Sequence, residues 1–204
     1  MKVTVSRQMG KFPIFKRSFA SILVVMGILV GRGSALGEEH YRVDPAASEV
    51  NFLLGASDGP VKGAFHVTSG EFTLDPQSGA MTGTVNVDAT SGRSGNDSRD
   101  KKMTSAQLKA QNYPSITFAP TRFSGQVKDS GDSSGQVEGN FTLLGQSHAI
   151  TVPMTVHMEG DNFTATGSFT IPFVTWGVKD PSWFVMKVDK EVKIELKLSG
   201  AVTK

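Results

Sequence analysis

The sequence predicts an all-β chain, an antiparallel eight-stranded barrel with one short helical crossover. Three observations carry that expectation. Apolar residues recur at every second position through most of the chain, the mark of strands with one buried and one wet face. Turn-forming clusters separate these runs. A single polar stretch, Ser91 to Asn112, breaks the alternation with a helical pattern. One-faced alternation over so many runs favours antiparallel strands, because parallel sheets are usually covered on both faces. About eight strands can close into a barrel with room for one small ligand. A two-sheet sandwich is the architectural alternative.

The first segment lies outside this pattern. Lys2, Arg7, Lys11, Lys16 and Arg17 form a cationic start, and an apolar run follows from Phe19 to Val30. Small residues at Ala35 and Gly37 precede Glu38, the layout of a cleavable secretory signal over residues 1–37. The apolar run is shorter than the roughly 20 residues that span a bilayer, although an uncleaved N-terminal anchor is the rival reading. Residues 38–204 are then the folded domain, with no stable membrane span once the signal is removed. The whole chain has 21 Lys+Arg and 19 Asp+Glu, but six of the basic residues and none of the acidic ones precede Glu38. The domain itself is therefore acidic overall, which speaks against nucleic-acid binding. Lys187, Lys190, Lys193 and Lys197 alternate with acidic and apolar residues and read as a solvated strand face. The absence of cysteine excludes a disulfide scaffold, an acylated lipoprotein and thiolate chemistry.

The strands follow in order. The run from Val61 to Leu74 changes parity near Ser69-Gly70: Val61, Phe65 and Val67 share one phase, Phe72 and Leu74 the other. A bulge there would keep both groups inside, as a barrel corner requires. Met81, Val85, Val87 and Ala89 alternate with Thr82, Thr84, Asn86 and Asp88. Within the polar stretch, Met103, Ala106, Leu108 and Ala110 can form one weakly apolar side of a short helix, capped by Asp97 or Ser98. Tyr113-Pro114 ends it and returns the chain to a strand from Ser115 to Phe123. Residues 128–135 read as an exposed hairpin tip. Further strands follow through Val137–Leu143, Val152–Met158, Phe163–Ile171 and Val188–Leu198.

Strand parity nominates an apolar lining: Phe52, Leu54, Phe65, Val85, Val87, Phe118, Phe141, Met154, Val156, Phe169, Ile171, Trp176, Phe184 and Met186. The same residues would also serve a solid core. Phenylalanine outnumbers tyrosine 13 to 2, and the chain has 8 Met, so its large apolar side chains bring few polar atoms inside. The four histidines, His40, His66, His148 and His157, form no metal-ligand spacing, and no Gly-x-Ser-x-Gly elbow is present. No cofactor, metal site or catalytic group is expected. A small hydrolase would need His66 or His157 to face inward, against its phase. Asn96, Asn140 and Asn162 head glycosylation-type tripeptides that such a sequence contains by chance.

An ordered set of motifs runs through the domain: Tyr41-Arg42-Val43-Asp44-Pro45, Val61-Lys62-Gly63-Ala64-Phe65, Gly70-Glu71-Phe72, Gly95-Asn96-Asp97-Ser98-Arg99-Asp100, Tyr113-Pro114-Ser115-Ile116-Thr117-Phe118, Gly139-Asn140-Phe141 and Trp176-Gly177-Val178-Lys179-Asp180-Pro181. In this order the set resembles the YceI-like family of exported bacterial lipid-binding proteins, across essentially all of residues 38–204. The resemblance implies a lipocalin-like barrel, a long apolar tunnel and a periplasmic or secreted location. It also implies an apolar lipid partner such as a polyprenyl chain, a quinone or a fatty acyl amide. A homodimer is compatible with it. Two places depart from the family pattern. A histidine common after the second strand segment is replaced by Leu53-Leu54-Gly55-Ala56-Ser57, and an aromatic pair before the Tyr-Pro by Gln107-Leu108-Lys109-Ala110-Gln111.

Arg99-Asp100 is the most distinctive polar pair. Arg99 could meet an anionic head group, since guanidinium pairs well with phosphate or carboxylate. Equally, Asp100 suits a helix first turn and Arg99 a latch on a helical lid. Asp88, at a strand end, is expected to partner nearby amides. The remaining alternative is a structural or stress-related interaction module with a filled barrel and a partner at residues 91–111.

Overall fold

The computed structural model describes residue 4, residues 37–183 and residues 185–204. The segment expected to be a signal, apart from residues 4 and 37, and Phe184 therefore lie outside the described residues. Ten strand segments follow one another among the described residues: β1 Glu39–Val43, β2 Glu49–Leu54, β3 Val61–Phe65, β4 Val67–Leu74, β5 Met81–Asp88, β6 Ser115–Gly125, β7 Gly131–Leu143, β8 Gln146–Glu159, β9 Asn162–Ile171 and β10 Val192–Thr203. Every pairing is antiparallel, and each segment from β4 to β10 pairs with the next. The ring closes because β10 pairs with both β1 and β2, while β1 pairs with β4 and β2 with β3.

β1 and β2 are the two halves of one kinked strand, and β3 and β4 the halves of another, so the closed barrel has eight strands. The kinks have local causes. Pro45 opens a 3-10 turn, Pro45–Ala47, whose first free amide, Ala46 N, donates to Asp44 Oδ1 at 2.9 Å. Ser48 then seals the bend: its hydroxyl donates to Asp44 O at 2.7 Å and accepts from Ser199 N at 3.1 Å. The second strand breaks at His66 and carries a bulge between Val67 and Ser69, slightly before the Ser69-Gly70 position expected from parity. Val67 and Gly70 are both buried across it, so the extra residue keeps both apolar phases inside.

Three expected boundaries move. The hairpin tip at 128–135 shrinks to residues 126–130, because β7 begins at Gly131 and Ser133 is buried with its hydroxyl on Lys128 N. β10 begins at Val192 rather than Val188, which makes only an isolated bridge with Ala56. The crossover contains α1 Asp97–Lys102, capped by Asn96 and not by Asp97 or Ser98: Asn96 Oδ1 accepts from Arg99 N at 3.0 Å. One π-helical turn, Met103–Gln107, continues it, and Lys109 ends the segment in the left-handed region at φ 48°.

The connections alternate between the two barrel ends, and both long ones fall at the same end. Turns 75–80, 126–130 and 160–161 lie at one end. Residues 55–60, the helical crossover 89–114, turn 144–145 and the connection 172–191 lie at the other. The short-turn end is floored by aromatic rings. Tyr41 stacks on Phe72 at 4.9 Å between centroids, and Phe163 meets both edge-on at 5.2 and 6.0 Å. The Tyr41 hydroxyl donates to Glu39 Oε2 at 2.7 Å, and burial pushes its ionisation well above the ordinary phenol range. Among the described residues no helix is long and apolar enough to cross a membrane.

Candidate functional site

The barrel interior is not filled. A cavity of about 840 Å³ runs through it, within the roughly 300–1,000 Å³ typical of small-molecule sites. Its wall includes Phe163 at one end of β9 and Ile171 at the other. Eight residue steps at about 3.3 Å, on a strand tilted by roughly 40°, put these about 20 Å apart along the barrel axis. The space is long and narrow, a shape for a chain.

Of the nominated lining, Phe52, Leu54, Phe65, Val85, Val87, Phe118, Phe141, Met154, Val156, Phe169, Ile171 and Met186 stand on this wall. Trp176 does not, and the expectation for it is corrected. Trp176 N bonds Pro172 O, and the half-buried indole packs at the long-loop end of the barrel against the cluster that includes Phe141 and Leu143. There it lies flat on the His148 imidazole, with centroids 4.1 Å apart and planes within 3°, and its centroid is 5.8 Å from that of the Phe141 ring. Phe184 is outside the described residues. The nomination missed the floor, Tyr41, Phe72 and Phe163, and the last strand's Ile194, Leu196 and Leu198. The signal for these was present in the same period-two phase.

Polarity on the wall is segregated. Apart from Tyr41 at the floor and Thr117 on β6, the polar wall residues come from the long-loop end: Ser94, Asn96, Ser98, Arg99, Lys102 and Gln107 from the crossover, Asp58 from the β2–β3 connection, and Lys179, Asp180 and Ser182 from the β9–β10 connection. The cavity is thus an apolar shaft with a polar mouth. Trp183 and Val185, 66% and 74% exposed, also lie in the β9–β10 connection.

Two hydrogen-bonded latches tie the mouth segments down. In the crossover, buried Asp100 accepts from Ser94 N at 2.9 Å and from the Ser94 hydroxyl. These bonds, the hydroxyl first, hold the Asp100 carboxyl below its ordinary range, with Arg93 and Arg99 assisting. Arg99 grips the same residue, Nε donating to Ser94 Oγ at 2.7 Å and Nη2 to Ser94 O at 2.8 Å. Arg99 and Asp100 therefore meet through Ser94, and Arg99 alone of the two reaches the cavity wall. Asp88 bonds the amide and hydroxyl of Thr90, both at 2.7 Å. In the β9–β10 connection, Lys190 Nζ donates to Asp180, whose other oxygen accepts from Ser182 N at 2.9 Å. The lysine bond, with help from Ser182, lowers Asp180 to about 2.

His66 and His157 face outward, and His157 pairs with Asp132 at 2.6 Å. His148 sits opposite Phe141 in the β7–β8 register, hence on the inner face, but under Trp176 and off the cavity wall. Among the described residues no three His, Cys, Asp or Glu side chains gather as metal ligands.

Comparison with known proteins agrees with this architecture. The family model for the YceI-like domain matches residues 41–200. Curated relatives are UPF0312 proteins. One from Vibrio cholerae is 37% identical over 94 residues, 45% of this chain and 48% of that protein, so the chain spans about half the length of the Vibrio cholerae relatives it matches. One from Pseudomonas putida is 27% identical over 200 residues, 89% of this chain and 97% of its own. Among solved structures, Burkholderia cenocepacia BcnA aligns with a TM-score of 0.62 at 24% identity, over 79% of this chain and 99% of that one. A polyisoprenoid binding domain from Saccharophagus degradans, implicated in plant cell wall breakdown, aligns with a TM-score of 0.63 at 18% identity, over 79% and 98%. At these identities the structural likeness is one of fold.

Proposed function

This chain belongs to the YceI-like domain family, and from that premise we propose that it is an exported carrier or sequestering protein for a long apolar ligand, an isoprenoid or acyl chain held inside the barrel. The observation that carries the reading is the cavity itself: an apolar shaft of about 840 Å³ with polar side chains gathered at one mouth. Such a space suits a molecule with a long hydrocarbon body and one polar end. The polyisoprenoid binding ascribed to the Saccharophagus degradans domain of the same fold supports it. Burial stabilises hydrocarbon by about 0.8 kcal/mol per methylene, so a chain of about 16 carbons offers roughly 12 kcal/mol before ordering and association costs. No catalytic group is needed for this role, and both histidines that a hydrolase reading required face solvent. An interaction module with a filled barrel is disfavoured by the open interior. Export rests on the signal-like residues 1–37, with processing after Gly37.

Native mass spectrometry of the protein from its own host, followed by organic extraction, tests the proposal. A mass lacking residues 1–37 and carrying one long-chain lipid is expected. A bare mass, unchanged after incubation with isoprenoid and acyl lipids, would overturn the carrier reading.

A further inference from the structure

We infer that the cavity mouth docks on an anionic lipid surface, with Trp183 and Val185 entering the interface and the lysines around them meeting the head groups. This rests on the carrier reading above and names the surface from which the mouth would load. Trp183, Val185 and Tyr113 are the exposed large apolar residues among the described residues, and all three lie in connections of the long-loop end. Tyr113 is only 38% exposed, whereas Trp183 and Val185 stand 66% and 74% in water. Single exposed apolar side chains are ordinary, but their gathering at one end, around the opening of an apolar shaft, marks an interaction surface.

This exposure is built, not slack. Trp183 N donates to Met186 O at 3.0 Å and Met186 N to Trp183 O at 3.1 Å, which closes a tight turn with Val185 at its tip. The stem below the turn is pinned to the β2–β3 connection. Ser57 N donates to Lys187 O at 2.9 Å, Lys187 N to Ser57 Oγ at 3.1 Å and Asp189 N to Gly55 O at 2.9 Å. Val188 is buried, and its amide donates to the Ser182 hydroxyl at 2.9 Å. A hydrogen-bonded stem thus holds two apolar side chains out in water, and a partner that covers them gains their burial.

Charge identifies the partner. The domain after Gly37 is acidic overall, yet the connections of the long-loop end, residues 55–60, 89–114, 144–145 and 172–191, hold eight Lys and Arg against six Asp and Glu. Two of those six are engaged within the chain, Asp100 with Ser94 and Asp180 with Lys190. Lys101, Lys102, Lys109, Lys179 and Lys187 are exposed, and none forms an ion pair among the described residues. The short-turn connections carry the opposite balance, Asp75, Asp129 and Asp161 against Lys128. Lys102 and Lys179 stand on the same cavity wall as Trp183. Indole beside ammonium suits a membrane interface, the ring at head-group level and the cation on anionic lipid. A bilayer is also where a long apolar chain resides, and docking the mouth there spares that chain a passage through water.

Trp183 itself reports the docking. The chain has 2 Trp, so Trp176→Phe leaves Trp183 as its sole indole, and residues 1–37 contain none. This protein, expressed in its own host, is mixed with vesicles of phosphatidylglycerol or of phosphatidylcholine, each also made with brominated acyl chains. On phosphatidylglycerol the Trp183 emission should move to the blue and be quenched by the bromines. Binding to phosphatidylcholine should be weaker by about tenfold or more, since each lysine near an anionic surface is worth about fivefold. Lys102→Gln combined with Lys179→Gln should weaken binding to phosphatidylglycerol by about tenfold or more, and Val185→Asp, at an exposed tip, by a similar factor. Trp183 emission that stays that of an indole in water with both vesicles, or binding indifferent to the lysines and to Val185, overturns the docking. A native mass of the same protein with its lipid still bound then leaves the carrier reading standing. Burial of Trp183 by rising protein concentration without vesicles assigns the tip to a second copy of the chain and overturns the docking as well. A bare native mass after lipid incubation overturns the carrier reading, and the loading role of this surface with it.

Discussion

The carboxylate of Asp100 closes a seven-residue loop onto Ser94, accepting both its amide, at 2.9 Å, and its hydroxyl. Through this bond the start of α1 is fastened to the chain that leaves β5, and the crossover is held across the cavity mouth. Asp100→Asn substitutes an NH₂ group for one acceptor oxygen and removes the charge that Arg93 and Arg99 favour. Amides of the crossover, residues 97–107, should exchange faster with deuterium in this variant, while amides of β7 and β8 stay protected. Equal loosening of both regions would show that the latch is part of the global fold rather than of the mouth.

The second latch makes a pH prediction. Asp180 falls from 3.8 to about 2 through Lys190 and Ser182. A carboxyl whose folded value is depressed stabilises fully above its unfolded value and loses that contribution as pH falls through its folded value. The Asp180–Lys190 contact should therefore be intact from neutrality to about pH 3 and half lost near its folded value of about 2, while the stability it contributes fades between about pH 4 and pH 2. The Lys190 side-chain resonances in an acid NMR titration report it. A transition near neutral pH would contradict the assignment.

Phe169 faces the cavity from β9, and Thr166 faces solvent from the same strand. Phe169→Lys puts an unpaired ammonium on an apolar wall and should cut retention of oleyl alcohol by about a hundredfold or more, since burying an unpaired charge costs several kcal/mol. Thr166→Lys should leave retention unchanged. Both are compared after circular dichroism has established folding. Unimpaired retention in folded Phe169→Lys would remove Phe169 from the binding surface.

Met158, on β8 near the closed end, is 2% exposed and absent from the cavity wall. Met158→Ala should destabilise the barrel by about 2–5 kcal/mol, the usual range for truncating a buried methionine. Thermal denaturation checks this. A loss well under about 1 kcal/mol would mean that the floor relaxes to fill the gap.

Gly63 pairs with Phe52 across β2 and β3, and a Cβ at Gly63 would collide with the Phe52 ring and with Arg93 O. Gly63→Ala must push the ring into the cavity or break the Ala64–Arg93 bridge. A cost of about 1–3 kcal/mol is expected, as for overpacked cores, together with weaker retention of long chains. A variant as stable and as retentive as wild type would show that neither the ring nor the bridge is constrained.

The architecture was legible in the residues because a barrel strand has the simplest period in protein structure. Parity alone separates Phe141, Met154 and Phe169 from Asn140, Thr155 and Thr170, and a parity change at Val67–Ser69 is a bulge wherever both flanks must be buried. The expectation of a family, a barrel and an apolar interior followed from that local rule and an ordered set of motifs. Contacts between distant segments obey no such rule. Only the tertiary structure decided that Trp176 lies on His148 instead of in the cavity, that Asn96 rather than Asp97 caps α1, and that Asp100 spends its charge on Ser94. Whether the interior is open is likewise a sum over the whole ring, set by how far eight strands stand apart and how their side chains meet, which no single stretch of sequence contains.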